Sequence, residues 1–286
     1  MAERHFGDLL GARFSKGFLL CVGLDSDLEV VPEAVQQSSV QDTLFAFNRA
    51  IIDATQDLVC AFKLNSAFYE AHGDIGVSAL RESIQYIHDH APEVSVILDS
   101  KRADIGNTNR YYADYFFSYL NVDAITVPPL LGSEALQPFL ERGDKGIFVL
   151  CRTSNQGAGE FQDLLTDGTD AGLLAQEPLY KIIAKHVAEK WNMRDNCGLV
   201  VGATYPEQLK IVRSVAPKLP ILLPGVGAQQ GDLQKSVRAG KDAKNAGLIV
   251  SASRAVIFAS SENDFADAAR IKAMELHGKI GSALLE

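Results

Sequence analysis

Short runs of β-branched and other apolar residues recur along the chain, separated by longer stretches with helical periodicity. The apolar runs predict strands at residues 18–24, 59–64, 94–98, 124–127, 146–150, 199–201, 221–223 and 248–250. A helical stretch at 43–58 carries on one side Leu44, Phe47, Ile51, Ile52 and Leu58. Further helices are predicted at 77–90, 109–120, 173–191, 207–215, 233–239 and 265–276. Asp232 is placed to cap the helix that begins at Leu233.

Eight strands that alternate with helices predict a parallel sheet of the α/β class. Eight is the number that closes a (β/α)8 TIM barrel, and a length of 286 residues fits such a barrel. An open, doubly wound sheet is the alternative. Because no linker rich in Pro, Gly or Ser divides the chain, we expect a single domain over residues 1–286 with a short N-terminal helical lead-in. The longest expected loop is 152–172, and loops of this length are often functional.

The composition and charge of the chain argue against several classes of protein. The net charge of -9 is opposite in sign to that of most nucleic-acid binders. The N-terminus is polar where a signal peptide is apolar, and no apolar run approaches the length of a membrane span. The cysteines are far apart and lack CxxC spacing, so we expect reduced core thiols and no zinc site at Cys21, Cys60, Cys151 and Cys197. We therefore expect a cytoplasmic protein that binds neither nucleic acid nor membrane.

Familiar catalytic motifs are missing from the sequence. No HExxH, GxSxG or GKS/GKT pattern occurs, which disfavours zinc proteases, serine hydrolases and P-loop enzymes. The histidines on predicted helices, His88, His90 and His186, are expected to be solvated.

Polar residues instead follow the predicted strands, at the ends where the active sites of α/β barrels lie. These strand ends contribute Asp25, Lys63, Asp99, Lys101, Asp104, Ser154, Pro224, Gln229, Ser253 and Arg254. Any one of them, taken alone, is better explained as a solvated surface residue. Polar groups at the same end of six strands favour a shared site.

Three of these residues suggest an array of alternating charge. Asp99 and Lys101 are two apart, so they share a face if both lie on a strand, and Lys63 approaches from the neighbouring strand. Carboxylates keep a nearby lysine protonated, and such an array is costly to bury unless its members pair. Two interpretations stand: an ion-pair network that ties two strands together, or a proton donor held between carboxylates.

The glycine-rich run GVGAQQG at residues 225–231 is one residue away from the dinucleotide fingerprint and lies too late in the chain for it. Its position after the seventh predicted strand favours a barrel phosphate site, with backbone N–H groups and Arg254 as donors. A plain tight turn is the alternative.

The run DSKRADIGNT at residues 99–108 matches the DxKxxD signature of the orotidine 5′-monophosphate decarboxylase family. The chain resembles the longer bacterial-type branch of that family over nearly its whole length. Further matching segments are GLD at 23–25, FK at 62–63, RTSN at 152–155, VGAT at 201–204, PGVGAQ at 224–229 and SR at 253–254. DxKxxD alone is shared with a wider superfamily, whereas the ordered set is specific.

The resemblance implies a carboxy-lyase without cofactor or metal, which acts as a homodimer. It would convert orotidine 5′-monophosphate into uridine 5′-monophosphate (UMP) and CO₂, the last step of de novo UMP synthesis. By this resemblance, Lys101 protonates the C6 carbanion, Asp99 lies beside the departing carboxylate, and Lys63 holds the array and touches the ribose. The partner subunit would supply Asp104, Ile105 and Thr108.

The resemblance also assigns the remaining substrate contacts. Asp25 would bind ribose hydroxyls and Ser154 the pyrimidine ring. Gln229 and Arg254 would grip the phosphate, under a mobile loop that closes over it. Pro224 and Ser253 would be further substrate-binding residues. The family usually has two glycines after this glutamine, and Gln230 replaces the first of them. A residue with a Cβ is penalised where φ is positive, so this departure concerns the conformation of the loop and not the chemistry.

Two other functions remain open at this point. Metal-dependent decarboxylases of sugar-acid phosphates share DxKxxD, but they place a glutamate ligand after the second strand, where this chain has Lys63. A non-catalytic phosphate-binding barrel is the other alternative. The retention of every charged residue disfavours it, because an unused buried array is costly.

Overall fold

Residues 4–166, 176–226 and 232–286 are described by the computed structural model, and the structural statements below concern them. The strands are β1 (Leu20–Gly23), β2 (Ala61–Asn65), β3 (Ser95–Asp99), β4 (Ala124–Val127), β5 (Gly146–Arg152), β6 (Leu165–Thr166), β7 (Glu177–Pro178), β8 (Cys197–Val201), β9 (Ile221–Leu223) and β10 (Leu248–Ala252). Eight of them close into a barrel in the order β1-β10-β9-β8-β5-β4-β3-β2, with parallel pairing throughout. The predicted (β/α)8 barrel is confirmed, and the doubly wound alternative is wrong.

Helices connect and cover these strands. Their bounds are α1 (Phe6–Ser15), α2 (Val40–Thr55), α3 (Ala67–Glu70), α4 (Gly73–His90), α5 (Gly106–Ala113), α6 (Gly132–Leu140), α7 (Gly159–Gln162), α8 (Leu179–His186), α9 (Pro206–Val215), α10 (Leu233–Gly240), α11 (Arg254–Ile257) and α12 (Phe265–Leu285). Short π-helical segments extend α5 and α8, and 3₁₀ turns lie at Glu33–Val35 and Gln156–Ala158. As predicted, the Asp232 carboxylate caps α10 by accepting a hydrogen bond from the Lys235 amide at 3.0 Å.

Several predicted bounds differ from the structure. The helix expected from residue 173 begins only at Leu179, because Pro178 and its neighbour pair with β6 as an antiparallel hairpin. Residues 173–175 lie outside the described ranges. The loop expected at 152–172 contains α7 and β6. Helix α6 was not predicted, since Pro138 interrupts its sequence pattern although the chain stays helical around it.

The N-terminal end of the barrel is closed by α1. Phe6 of α1 packs edge to face on Phe148 of β5, with ring centroids 5.7 Å apart, and Leu10 joins the same buried cluster. This interior layer consists of small and apolar side chains from all eight barrel strands, including two of the four cysteines. All four cysteines are buried and free, as expected. The opposite, C-terminal end of the barrel is therefore the one open to a ligand.

A charged cluster also ties the N-terminal segment to the barrel. Arg4 donates to the two carboxylate oxygens of Asp123 at 2.8 and 2.7 Å, and His88 Nε2 lies 3.7 Å from the same carboxylate. Burial raises the pKa of Asp123, but Arg4 and His88 outweigh burial and hold it at about 2. The expectation that His88 is solvated is wrong. It follows the buried Ile87 and continues the buried face of α4.

Candidate active site

A cavity of about 450 Å³ lies at the C-terminal ends of the barrel strands. That volume is typical of small-molecule sites. Its apolar floor consists of Leu150, Val200 and Leu222. Eight of the residues predicted for the site line it: Asp25, Lys63, Asp99, Lys101, Ser154, Pro224, Ser253 and Arg254. Apolar surface beneath a ring of charged groups suits a flat heterocycle that carries polar substituents.

The alternating array is present in the structure. Lys63 Nζ lies 3.4 Å from Asp25 Oδ1 and 3.4 Å from Asp99 Oδ2. Lys101 Nζ lies 2.7 Å from Asp99 Oδ1. The order along the cavity wall is therefore carboxylate, ammonium, carboxylate, ammonium. Lys63 is buried, whereas the Lys101 side chain is 48% exposed at the open cavity, so Lys101 is the more accessible of the two ammonium groups.

The array also sets its own ionisation. Burial raises the pKa of Asp99, but Lys63, Lys101 and a hydrogen bond from Thr126 outweigh burial and lower it to about 2. Burial lowers the pKa of Lys63, yet Asp25 and Asp99 raise it well above its ordinary value. Both groups are therefore charged at neutral pH. This fixed charge pattern needs no proton uptake or release before a ligand binds.

The backbone geometry that brings Lys101 to Asp99 differs from the predicted geometry. Strand β3 ends at Asp99, so the two side chains do not share a strand face. Lys101 instead has a left-handed backbone with φ of 47°, and its side chain turns back to the carboxylate. Its amide donates to Thr126 Oγ1 at 3.0 Å, and that hydroxyl donates to Asp99 at 2.8 Å. Thr126 was missed from the sequence, where it is only a hydroxyl inside the apolar run of β4.

A buried hydrogen-bond network holds the chain on both sides of Asp25. Tyr69 Oη donates to the Leu24 carbonyl at 2.7 Å, and Asn48 Nδ2 donates to Tyr69 Oη at 3.0 Å. Ser26 Oγ donates to Asn48 Oδ1 at 2.5 Å. Since these groups are buried, the backbone that carries Asp25 has little freedom to move.

Ser154 lies on the loop after β5. Two contacts hold this loop over the cavity. Arg152 is buried and donates to both carboxylate oxygens of Asp163, at 2.8 and 2.9 Å. Gly202 lies directly against Ser154, because a Cβ at that glycine would come within 2.5 Å of Ser154 Cα. Gln162 also lines the cavity and accepts from the Thr153 amide at 2.8 Å. Sequence reasoning missed Gln162, since nothing distinguishes it within the long expected loop.

The predicted phosphate end of the cavity is described in part. Gly225 has φ of 94°, a conformation that favours glycine, and turns the chain away from β9 beside Pro224. Ser253 and the exposed Arg254 line the same side of the cavity at the start of α11. Gln229 and Gln230 lie outside the described residues.

Asp104, Ile105 and Thr108 do not line the cavity of their own chain. Asp104 and Ile105 are exposed, and the Ile105 side chain is 58% accessible. Asn109 holds this segment rigidly, because its side chain accepts from the Asp104 amide at 2.9 Å and donates to the Asp104 carbonyl at 2.6 Å. It also donates to the Ala135 carbonyl of α6 at 2.6 Å. Asn109 thus holds Asp104 in an exposed position. This role of Asn109 was not predicted from the sequence.

Comparisons with known proteins show which family the chain belongs to. Residues 19–270 match the model of the family described as Orotidine 5'-phosphate decarboxylase / HUMPS family. The chain is 45% identical over 275 residues to the orotidine 5′-phosphate decarboxylase of Cellvibrio japonicus, which covers 96% of this chain and 97% of that protein. The structure of Leishmania donovani OMP decarboxylase superimposes with a TM-score of 0.84 at 36% identity, covering 99% of each chain.

The structure of Leishmania donovani UMP synthase is also similar, with a TM-score of 0.85 and 37% identity. The match covers 98% of this chain and 57% of the UMP synthase. The similarities in sequence, family pattern and fold therefore agree along nearly the whole length. The chain belongs to the orotidine 5′-phosphate decarboxylase / HUMPS family.

Proposed function

We propose that this protein removes CO₂ from orotidine 5′-monophosphate to form UMP, without a cofactor or metal. The observation that carries the proposal is the charge array at the cavity wall. Lys101 is exposed to the cavity and 2.7 Å from Asp99, and Lys63 lies between Asp99 and Asp25 at 3.4 Å from each. An ammonium group held in place beside a carboxylate is what loss of CO₂ followed by protonation requires.

Decarboxylation at C6 leaves an electron pair in the plane of the pyrimidine, where ring resonance cannot spread it. The protein must therefore stabilise the developing charge electrostatically. Lys101 is the group we assign to this task and to delivery of the proton to C6. Asp99 would lie beside the departing carboxylate, and its main effect would be to hold Lys101, since ground-state repulsion is a contested explanation of catalysis.

The other polar groups of the cavity suit the rest of the substrate. Asp25 is proposed to bind ribose hydroxyls, while Lys63 holds the array together and touches the ribose. Ser154 is proposed to bond the pyrimidine ring, on the loop that Gly202 and Arg152 keep in place.

We propose that the active site is shared between two copies of the chain. Asp104, Ile105 and Thr108 do not line their own cavity, and the exposed Ile105 is an apolar side chain suited to burial against a second copy. The Asn109 contacts hold Asp104 ready to enter the partner's cavity. The buried thiols suit a reducing compartment, so we retain the cytoplasm as the proposed location.

The direct test is the ultraviolet absorbance of orotidine 5′-monophosphate during incubation with purified protein in excess EDTA. We expect rapid loss of the substrate spectrum and UMP as the product by chromatography. Folded protein without this activity would overturn the proposal. Activity on a sugar-acid phosphate that depends on added Mg²⁺ would then support the metal-dependent alternative, although Lys63 places a positive charge between Asp25 and Asp99.

Replacement of Arg254 by alanine should separate phosphate binding from the chemical step. Contacts to the phosphate, which does not react, can drive closure of the active-site loop and exclude water from the site. Their loss therefore lowers the catalytic rate as well as the affinity for the substrate. We expect kcat/KM for orotidine 5′-monophosphate to fall on the order of 10²-fold or more. The reaction of orotidine, which lacks the phosphate, should hardly change.

A matched control for this experiment is Arg238→Ala, which removes an exposed arginine from α10. This variant should retain wild-type kinetics with both substrates. If Arg254→Ala reduced the reaction of both substrates equally, Arg254 would not act through the phosphate.

A further inference from the structure

Thr126 lies at the centre of the array without lining the cavity. It stands in β4, next to β3, and the pairing of Leu98 with Ile125 sets Asp99 beside it. Its side chain is completely buried, so solvent does not compete for its hydroxyl. A threonine inside an apolar barrel strand needs a hydrogen-bond partner for that hydroxyl, since an unpaired buried hydroxyl is costly.

The direction of both hydrogen bonds at Thr126 is determined by chemistry. The Lys101 amide can only donate, so Thr126 Oγ1 accepts from it at 3.0 Å. Asp99 is ionised and can only accept, so the single hydroxyl proton of Thr126 goes to Asp99 Oδ1 at 2.8 Å. The Thr126 side chain thus connects the Lys101 backbone with the Asp99 carboxylate. The Lys101 ammonium group contacts the same carboxylate.

The two oxygens of Asp99 consequently have separate partners. Oδ1 accepts from Thr126 and from Lys101 Nζ, whereas Oδ2 faces Lys63 at 3.4 Å. Rotation of the carboxylate would exchange these partners, and the Thr126 proton opposes that rotation. At the other end, Lys101 has a left-handed backbone that residues with a Cβ rarely adopt, and the bond from its amide to Thr126 helps to hold it there.

We propose that Thr126 is a positioning residue for decarboxylation, which keeps Asp99 and Lys101 in the geometry that delivers the proton to C6. The inference rests on the proposed function and goes beyond it, because Thr126 touches neither the cavity nor the substrate. Its effect is expected on the chemical step, where the placement of Lys101 matters within fractions of an ångström, and not on binding of the nucleotide.

Three variants test this role. Thr126→Val has nearly the same shape but no hydroxyl, so it removes the acceptor of the Lys101 amide and one of the donors to Asp99. Thr126→Ser keeps the hydroxyl and removes only a methyl group. Thr55→Val makes the same change at a fully buried threonine of α2, whose hydroxyl donates to the Ile51 carbonyl of its own helix.

Steady-state kinetics with orotidine 5′-monophosphate and binding of UMP are measured for each. We expect Thr126→Val to lower kcat by about 10- to 100-fold. The UMP dissociation constant should change by less than about threefold, because the phosphate and ribose contacts are intact. Thr126→Ser should restore kcat to near the wild-type value, and Thr55→Val should leave it unchanged. A role limited to stability would lower the melting temperature of Thr126→Val but not kcat of the folded enzyme.

Wild-type kcat in Thr126→Val would overturn the inference, and so would equal losses of kcat and of UMP affinity, which indicate general distortion of the cavity. If the valine variant does not fold, Thr126→Ala takes its place, and equal kcat for alanine and serine would overturn the inference. A wild-type protein without decarboxylase activity would overturn the proposed function instead, so the two failures are distinguishable.

Discussion

Replacement of Lys101 by alanine is expected to lower kcat for orotidine 5′-monophosphate on the order of 10⁵-fold or more. A positioned general acid contributes about 10²–10⁴-fold. An ammonium about 4 Å from a developing anion contributes roughly 4 kcal/mol at an effective dielectric near 20, which is about 10³-fold in rate. Lys101 supplies both effects in the proposed reaction. Absorbance of the substrate, followed with enzyme in excess, measures the residual rate.

The fold should survive this substitution. The Lys101 side chain is about half exposed and belongs to no apolar cluster, while Asp99 keeps Lys63 and Thr126 as partners. Lys272→Ala, which removes a partly exposed lysine of α12 that pairs with Glu275, serves as the control and should retain full activity. A Lys101→Ala enzyme within tenfold of the wild-type rate would contradict the assignment of the proton donor.

One lysine does not account for the largest enzymatic accelerations, which correspond to roughly 20 kcal/mol or more. The rest of the barrier reduction must come from a preorganised environment. The buried groups around Lys101 provide such an environment. Lys63 cannot reorient because it is buried between Asp25 and Asp99. The cavity floor is apolar, so the charges act in a medium that screens them less than water does.

The barrel was predictable because its signal is local. Each buried parallel strand is a short apolar run, and the strand ends are marked by polar residues such as Asp25 and Lys63. The convergence of these residues follows from parallel pairing alone. Elements with weak local signals were missed, among them α6, in which Pro138 disguises the helical pattern.

The contacts that orient the site were not predictable for a different reason. Thr126 and Asn109 act through hydrogen bonds to backbone groups of other elements, and such contacts have no periodicity in the sequence. Even the correct pairing of Asp99 with Lys101 was predicted from a strand geometry that the chain does not adopt, since φ of 47° at Lys101 is a property of the folded loop. Residue types identify the chemistry, whereas the supporting contacts require the tertiary structure.

A shared active site makes a quantitative prediction for mixed subunits. Lys101→Ala and Asp104→Ala should each be nearly inactive alone, because every site in either homodimer lacks one group. After subunit exchange, a heterodimer has one site without either residue and one site with both. With equal amounts of the two chains, about half of the dimers are mixed and each has one intact site of two, so about a quarter of wild-type activity should return. The measurement is the decarboxylation rate of the mixture after exchange.

The matched control pairs Lys101→Ala with Lys63→Ala. These two residues lie within 3.4 Å of the same Asp99 carboxylate of one chain, so every site in their heterodimer lacks one of them and no activity should return. Recovery in this control would show that mixing acts by some route other than site sharing. If subunit exchange is demonstrated by mass and the Lys101→Ala and Asp104→Ala pair still stays inactive, Asp104 does not reach the partner's cavity. The exposed position that Asn109 imposes on Asp104 would then need another explanation.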